Sequence, residues 1–267
     1  MKNFLELSPK NRYNYLKGAT QEIARLCRIN KSKFELMVYG STTYGFNPVN
    51  FGKINDIDLF MIIDHKINID RFLFDIKKIF GEFIDLKIEH LQKVLSNEWQ
   101  MCRMYTTFKR VKVGFRIITR KQLSLICSEH GKYLSFKNGA GLGYSRILVD
   151  KEWSYKSKRY VRIVLKSETS NVSNKPVTIT EQYLFSKKGR LGVFGRKILH
   201  SEVIYSKDYR LQNFLNFTLK KHVWMSLRYY PKITNTEIIS SIIRSERFST
   251  KFKCNLNRKI NDIRNLI

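Results

Sequence analysis

A chain of 267 residues with 43% hydrophobic content can bury one large core or two modest ones. No apolar run approaches the roughly 18 residues of a membrane span, and the stretch from Met1 to Leu7 is too short and polar for a secretion signal. Fifty Lys and Arg against 22 Asp and Glu give a net charge of +28, which argues against a cationic substrate and for a polyanionic partner.

Ser8-Pro9 reads as a helix cap followed by Pro in the first turn, and Tyr13, Leu16, Ile23, Leu26 and Cys27 recur near helical spacing, so a helix is expected over 9–28. Residues 33–39 are strand-like. Gly40-Ser41 then turns the chain and leaves backbone N–H groups and a hydroxyl able to meet phosphate oxygens. Residues 46–52 are rich in turn formers and read as a surface excursion. The next apolar run, 55–63, is interrupted by two carboxylates, Asp56 and Asp58. In a strand they share one face, with Ile57 and Leu59 on the other. Such a pair either ends a strand in solvent or shares a cation between its members. Asn68 can cap a helix that runs to Phe80 and stops at Gly81. Residues 83–89 alternate with period two and predict a strand, placing Asp85, Lys87 and Glu89 opposite Ile84, Leu86 and Ile88.

Gly40-Ser41, the further Gly45 and Asp56-Ile57-Asp58, with a carboxylate at Asp85 one helix later, resemble the signature of the polymerase-β-like nucleotidyltransferase superfamily. The likeness covers residues 33–90, about a quarter of the chain. It departs from the family in a long loop over 42–55, and in Tyr44, which stands where many small members carry Arg. The resemblance implies a mixed sheet flanked by helices. It also implies two Mg²⁺ ions (or Mn²⁺) on Asp56, Asp58 and Asp85, and an NTP such as ATP gripped by Gly40 and Ser41. Glu89 is the substitute third carboxylate if the strand is placed differently.

Downstream the character changes. Residues 1–100 hold 15 basic and 12 acidic side chains, whereas 101–267 hold 35 and 10. In 110–118, Val111, Val113, Phe115 and Ile117 alternate with Arg110, Lys112 and Arg116, which predicts a strand with one basic face suited to a nucleic-acid backbone. A short helix is expected from Lys121 to Glu129. The glycines of 138–143 lack dinucleotide-binding spacing and read as a loop. Residues 151–206 look β-rich, with strands at 160–165 and 177–180. In 187–197, Lys187, Lys188, Arg190, Arg196 and Lys197 surround three glycines and Phe194. That cluster is either a phosphate-binding element with a stacking aromatic or a solvated hairpin turn. Beyond 207 the pattern is helical, over 207–229, 237–247 and 255–266, with Phe217 and Trp224 counted among the core residues. Cysteines 27, 102, 127 and 254 form no C-x-x-C pair and point to reduced, buried thiols in a cytoplasmic protein.

The expected fold class is therefore α+β: a nucleotidyltransferase domain over 1–100, a basic β-rich region over 101–206 and a helical region over 207–267. The expected activity is transfer of an NMP to the 3′ end of an RNA. Two rivals remain open: a catalytically inactive nucleic-acid-binding subunit, and a toxin or signalling enzyme acting on tRNA, protein or nucleotides.

Overall fold

The computed structural model describes residues 4–46, 56–81, 88–96, 102–129, 148–154, 159–165, 197–229, 231–243 and 248–267. Helix α1 (Pro9–Ile29) starts where the sequence signals it, with the Ser8 hydroxyl accepting from the Asn11 amide at 3.4 Å. Helix α2 (Ile69–Phe80) is capped by Asn68, whose side chain accepts from the Arg71 amide at 2.9 Å, and ends at Gly81 with φ 75°. Between them lie strands β1 (Glu35–Tyr39) and β2 (Asp56–Ile63), which pair antiparallel.

Helix α3 (Ile88–Ser96) corrects one expectation. Ile88 and Glu89 open a helix and do not close a strand; residues 82–87, including Asp85, lie outside the described residues. Period-two alternation over seven residues is too short to exclude a change to helix at its end.

Strands β3 (Cys102–Phe108) and β4 (Val111–Thr119) form a hairpin whose turn residues, Lys109 and Arg110, both have positive φ, 46° and 66°. β4 inserts parallel to β2, a pairing that needs the long crossover through α2, α3 and β3. Two later strands, β5 (Leu148–Ser154) and β6 (Arg159–Leu165), pair antiparallel and join the β3 edge at Cys102 and Trp153. Strand β7 (Glu202–Tyr205) closes the opposite edge against β1. The order across the sheet is β6-β5-β3-β4-β2-β1-β7, so strands from both sides of residue 100 belong to one mixed sheet.

Helices cover both faces. On one face α1, α2 and α3 bury Leu36, Val38, Ile57, Leu59, Met61, Val113, Phe115 and Ile117. On the other, Met37, Tyr39, Phe60, Ile62 and Ile118 pack under helix α4 (Arg120–Glu129), Ile198 and helix α5 (Arg210–Tyr229). A third cluster joins the lower part of α5 to helices α6 (Asn235–Ile242) and α7 (Thr250–Arg264).

Two buried carboxylates fasten these layers. Glu35, 2% exposed, is ion-paired with Arg120 and accepts from the Ser206 hydroxyl at 2.6 Å, tying β1 to α4 and to the chain after β7. Asp75 on α2 accepts from the Lys33 amide at 2.9 Å and faces Arg71 at 3.3 Å. No helix among the described residues is long and apolar enough to cross a membrane.

Candidate active site

The central strands are buried almost throughout, as their apolar runs require. The exceptions are Lys112, exposed on β4, and Asp56 and Asp58, half-buried at the start of β2 on the face otherwise occupied by Phe60 and Ile62. Strand register decides what surrounds them. Tyr39 pairs with Asp58 across β1, so the chain leaves β1 at Gly40 directly beside the pair. On the other side, β4 sets Lys112 opposite Asp56 and Gly114 opposite Asp58. Tyr105 on β3 lies beyond Gly114.

The Asp58 carboxylate is slotted between two glycines. A Cβ on Gly40 would lie 2.8 Å from its Oδ2, and a Cβ on Gly114 would lie 3.3 Å from its Oδ1. Gly40 also sits at φ 76°, a conformation costly for other residues. The turn 40–42 is a single helical turn, closed by the Thr43 amide and hydroxyl donating to the Gly40 carbonyl at 3.1 and 2.8 Å. Ser41, within that turn, is half-buried. Among the described residues the Asp58 carboxylate accepts no hydrogen bond and forms no ion pair. A half-buried charge left without a partner is chemically suited to a cation.

The turn continues into a brace. Tyr44 packs tilted against Phe248, with ring centroids 3.9 Å apart, and meets His200 at 5.9 Å. Its carbonyl accepts from the Ser249 amide at 2.7 Å. Gly45, at φ 74°, passes so close to the Ser249 side chain that a Cβ has no room. Ser249 is itself the cap of α7, accepting from the Phe252 amide at 3.2 Å. Tyr44, where the family resemblance calls for Arg, thus belongs to the core of the C-terminal helices.

The basic residues singled out by alternation separate into different environments. Val111, Val113, Phe115 and Ile117 do face the core, as expected. Lys112 is exposed beside Asp56, and its ammonium lies 4.2 Å above the Tyr105 ring. Arg116 is 5% exposed; it donates to the Tyr39 hydroxyl, with its guanidinium 5.2 Å from that ring. Lys197 approaches the same ring at 5.5 Å, so two cations meet Tyr39 next to the carboxylate pair. Arg110 is exposed in the hairpin turn and off the strand face. Lys187, Lys188, Arg190 and Arg196 lie outside the described residues, as does Asp85.

Sequence reasoning missed Tyr39, Tyr105 and Gly114. Gly114 left a signal, since a glycine inside an alternating strand marks close approach by another group. The tyrosines left none, because only strand order brings them to the pair.

Among the described residues no group of three His, Cys, Asp or Glu converges, so Asp56 and Asp58 are the carboxylates available there. Neither described cysteine of known environment lies at this site. Cys27 is buried in α1, where burial pushes its thiol up to about 12, while Cys254 is exposed, against the expectation of a buried thiol.

No protein-family model matches the chain, and no curated protein or solved structure shows significant similarity to it.

Proposed function

We propose that the protein is a nucleotidyltransferase that moves an NMP from an NTP to an acceptor hydroxyl and releases pyrophosphate, with an RNA 3′ end as the acceptor. The observation that carries this reading is the Asp58 carboxylate held between Gly40 and Gly114, at the mouth of the turn that follows β1. Phosphate needs close backbone approach and donors, and glycine supplies the room. A reaction at phosphorus also needs a cation beside those phosphates, for which the half-buried Asp58 carboxylate is a fitting ligand.

On this reading Gly40 and Ser41 bind the triphosphate through backbone amides and a hydroxyl. Asp56 and Asp58, with Asp85 as the third carboxylate, would hold two Mg²⁺ (or Mn²⁺), which supply charge stabilisation at the attacking and leaving oxygens. Lys112 stands beside Asp56, where it can pair with a phosphate of nucleotide or acceptor. Arg116 holds the Tyr39 hydroxyl and so fixes the wall of the site. The arrangement positions reactants and places charge; no side chain needs to form a covalent intermediate.

An RNA acceptor suits the charge distribution, since 35 of the 50 basic side chains fall in 101–267 against 10 acidic ones. A second reading has one observation in its favour: on β4, the positions beside Asp56 and Asp58 carry Lys and Gly, not a carboxylate. It makes the chain a nucleic-acid-binding subunit of this fold without turnover.

Incubation with Mg²⁺, each labelled NTP and total RNA separates the two. Label entering RNA with the wild type, and lost in the Asp56→Ala/Asp58→Ala variant, is the expected result. RNA binding without incorporation from any of the four NTPs, with Mg²⁺ or with Mn²⁺, would sink the enzyme and leave the binding subunit.

A further inference from the structure

Helix α5 has two faces, and only one is explained by packing. Leu211, Leu215, Leu219 and Val223 are buried against the sheet and the C-terminal helices. Phe217 and Trp224, which the sequence pattern assigns to the core, are instead 54% and 41% exposed. They lie two turns apart on one stripe with Asn213, Lys220 and Arg228, all exposed. By helix geometry the two rings are about 10 Å apart along the axis. The Arg228 guanidinium lies 5.2 Å above the Trp224 ring. The helix contains Arg210, Lys220, Lys221 and Arg228 and no Asp or Glu over its 20 residues.

We propose that this stripe of α5 is a stacking platform for unpaired bases of a single-stranded RNA, with Phe217 and Trp224 under the bases and Lys220 and Arg228 on the phosphates. Charge complementarity names the occupant. A polyanion matches a helix with four cations and no carboxylate in a chain of net charge +28. The composition of the face narrows it further. A protein-binding patch concentrates apolar groups at its centre and sheds lysine, whereas here lysine separates two flat rings. Aromatic faces interleaved with cations are what single strands use, because every unpaired base offers a face to stack on and a phosphate to pair. A duplex hides its base faces and has no use for the rings.

The stripe rests on the proposed reaction only for the identity of the RNA as acceptor. Binding is therefore measured on the full chain with neither nucleotide nor divalent ion present, so its failure and the failure of turnover are seen separately. Fluorescence anisotropy with a labelled 20-nucleotide single-stranded RNA of mixed sequence gives the readout. The Phe217→Ala/Trp224→Ala variant, altered only at exposed positions, is expected to keep its thermal unfolding midpoint and lose about ten-fold or more in affinity. Its affinity for inorganic polyphosphate, which has charges and no bases, should stay within about two-fold of the wild type. Lys220→Ala/Arg228→Ala should weaken both ligands. An equal loss for single-stranded DNA assigns the platform to unpaired bases in general, and a loss for RNA alone assigns it to RNA. Wild-type RNA affinity in the Phe217→Ala/Trp224→Ala variant would overturn the proposal, as would duplex RNA competing as well as the single strand. A wild-type dimer converted to monomer by that variant, with RNA affinity unchanged, would make the face a protein interface and overturn it too.

Discussion

Gly114 shows how much one missing side chain can decide. Its hydrogen faces Asp58 Oδ1 on one side and the edge of the Tyr105 ring on the other, 3.3 and 3.0 Å from where a Cβ would stand. Gly114→Ala must move one of the two. Overpacking of this kind costs about 1–3 kcal/mol, and a carboxylate displaced by about 1 Å can cost on the order of a hundred-fold in rate. The expected outcome is a modest fall in thermal midpoint with a loss of nucleotide incorporation far larger than the loss of folded protein. Incorporation at the wild-type rate in the folded variant would show that Asp58 does not need this slot. Lys112→Ala, by contrast, removes an exposed charge beside Asp56 and should leave stability within about 0.5 kcal/mol of the wild type.

Elements were legible in the sequence wherever a local signal fixed them. Ser8-Pro9 marks the start of α1, while Asn68 and Gly81 bracket α2, and each cap is found in place. The alternation of β4 puts Val111, Val113, Phe115 and Ile117 inward, as the structure does. What could not be read is the pairing. That β4 inserts beside β2, bringing Lys112 and Gly114 to the aspartates, depends on contacts more than fifty residues apart in sequence. Apolar spacing on α5 also could not say which of its greasy faces is covered, so Phe217 and Trp224 were indistinguishable from Leu215 and Leu219. The β3–β4 hairpin carries a prediction of its own. Lys109 and Arg110 both adopt left-handed backbone, a cost of about 1–2 kcal/mol for such residues. The turn type favours Asn-Gly. Lys109→Asn/Arg110→Gly should raise the thermal midpoint by about 2–4 °C in a calorimetric scan; no rise, or a fall, would mean that Tyr15, which donates to the Lys109 carbonyl at 2.8 Å, is holding the turn in a different way.

At the scale of the whole molecule, the charge asymmetry and the single sheet act together. The strongly basic part of the chain supplies β3, β4 and β7 to the same sheet that carries the carboxylates, so the fold itself brings basic segments and the carboxylate pair together. If that charge serves RNA, log affinity should fall with log salt at a slope steeper than about −3, the value for four or more neutralised phosphates on a single strand. A flat dependence between 50 and 200 mM salt would remove the polyanion argument. The brace on the turn after β1 has a further consequence, in time. Tyr44 and Gly45 are held by Phe248 and Ser249, about 200 residues later in the chain. At roughly 5–20 residues per second of synthesis, the turn goes about 10–40 s without its support. A growing chain would therefore possess its carboxylates long before the turn beside them is braced, and on the proposed function nucleotide binding would wait for the distant helix.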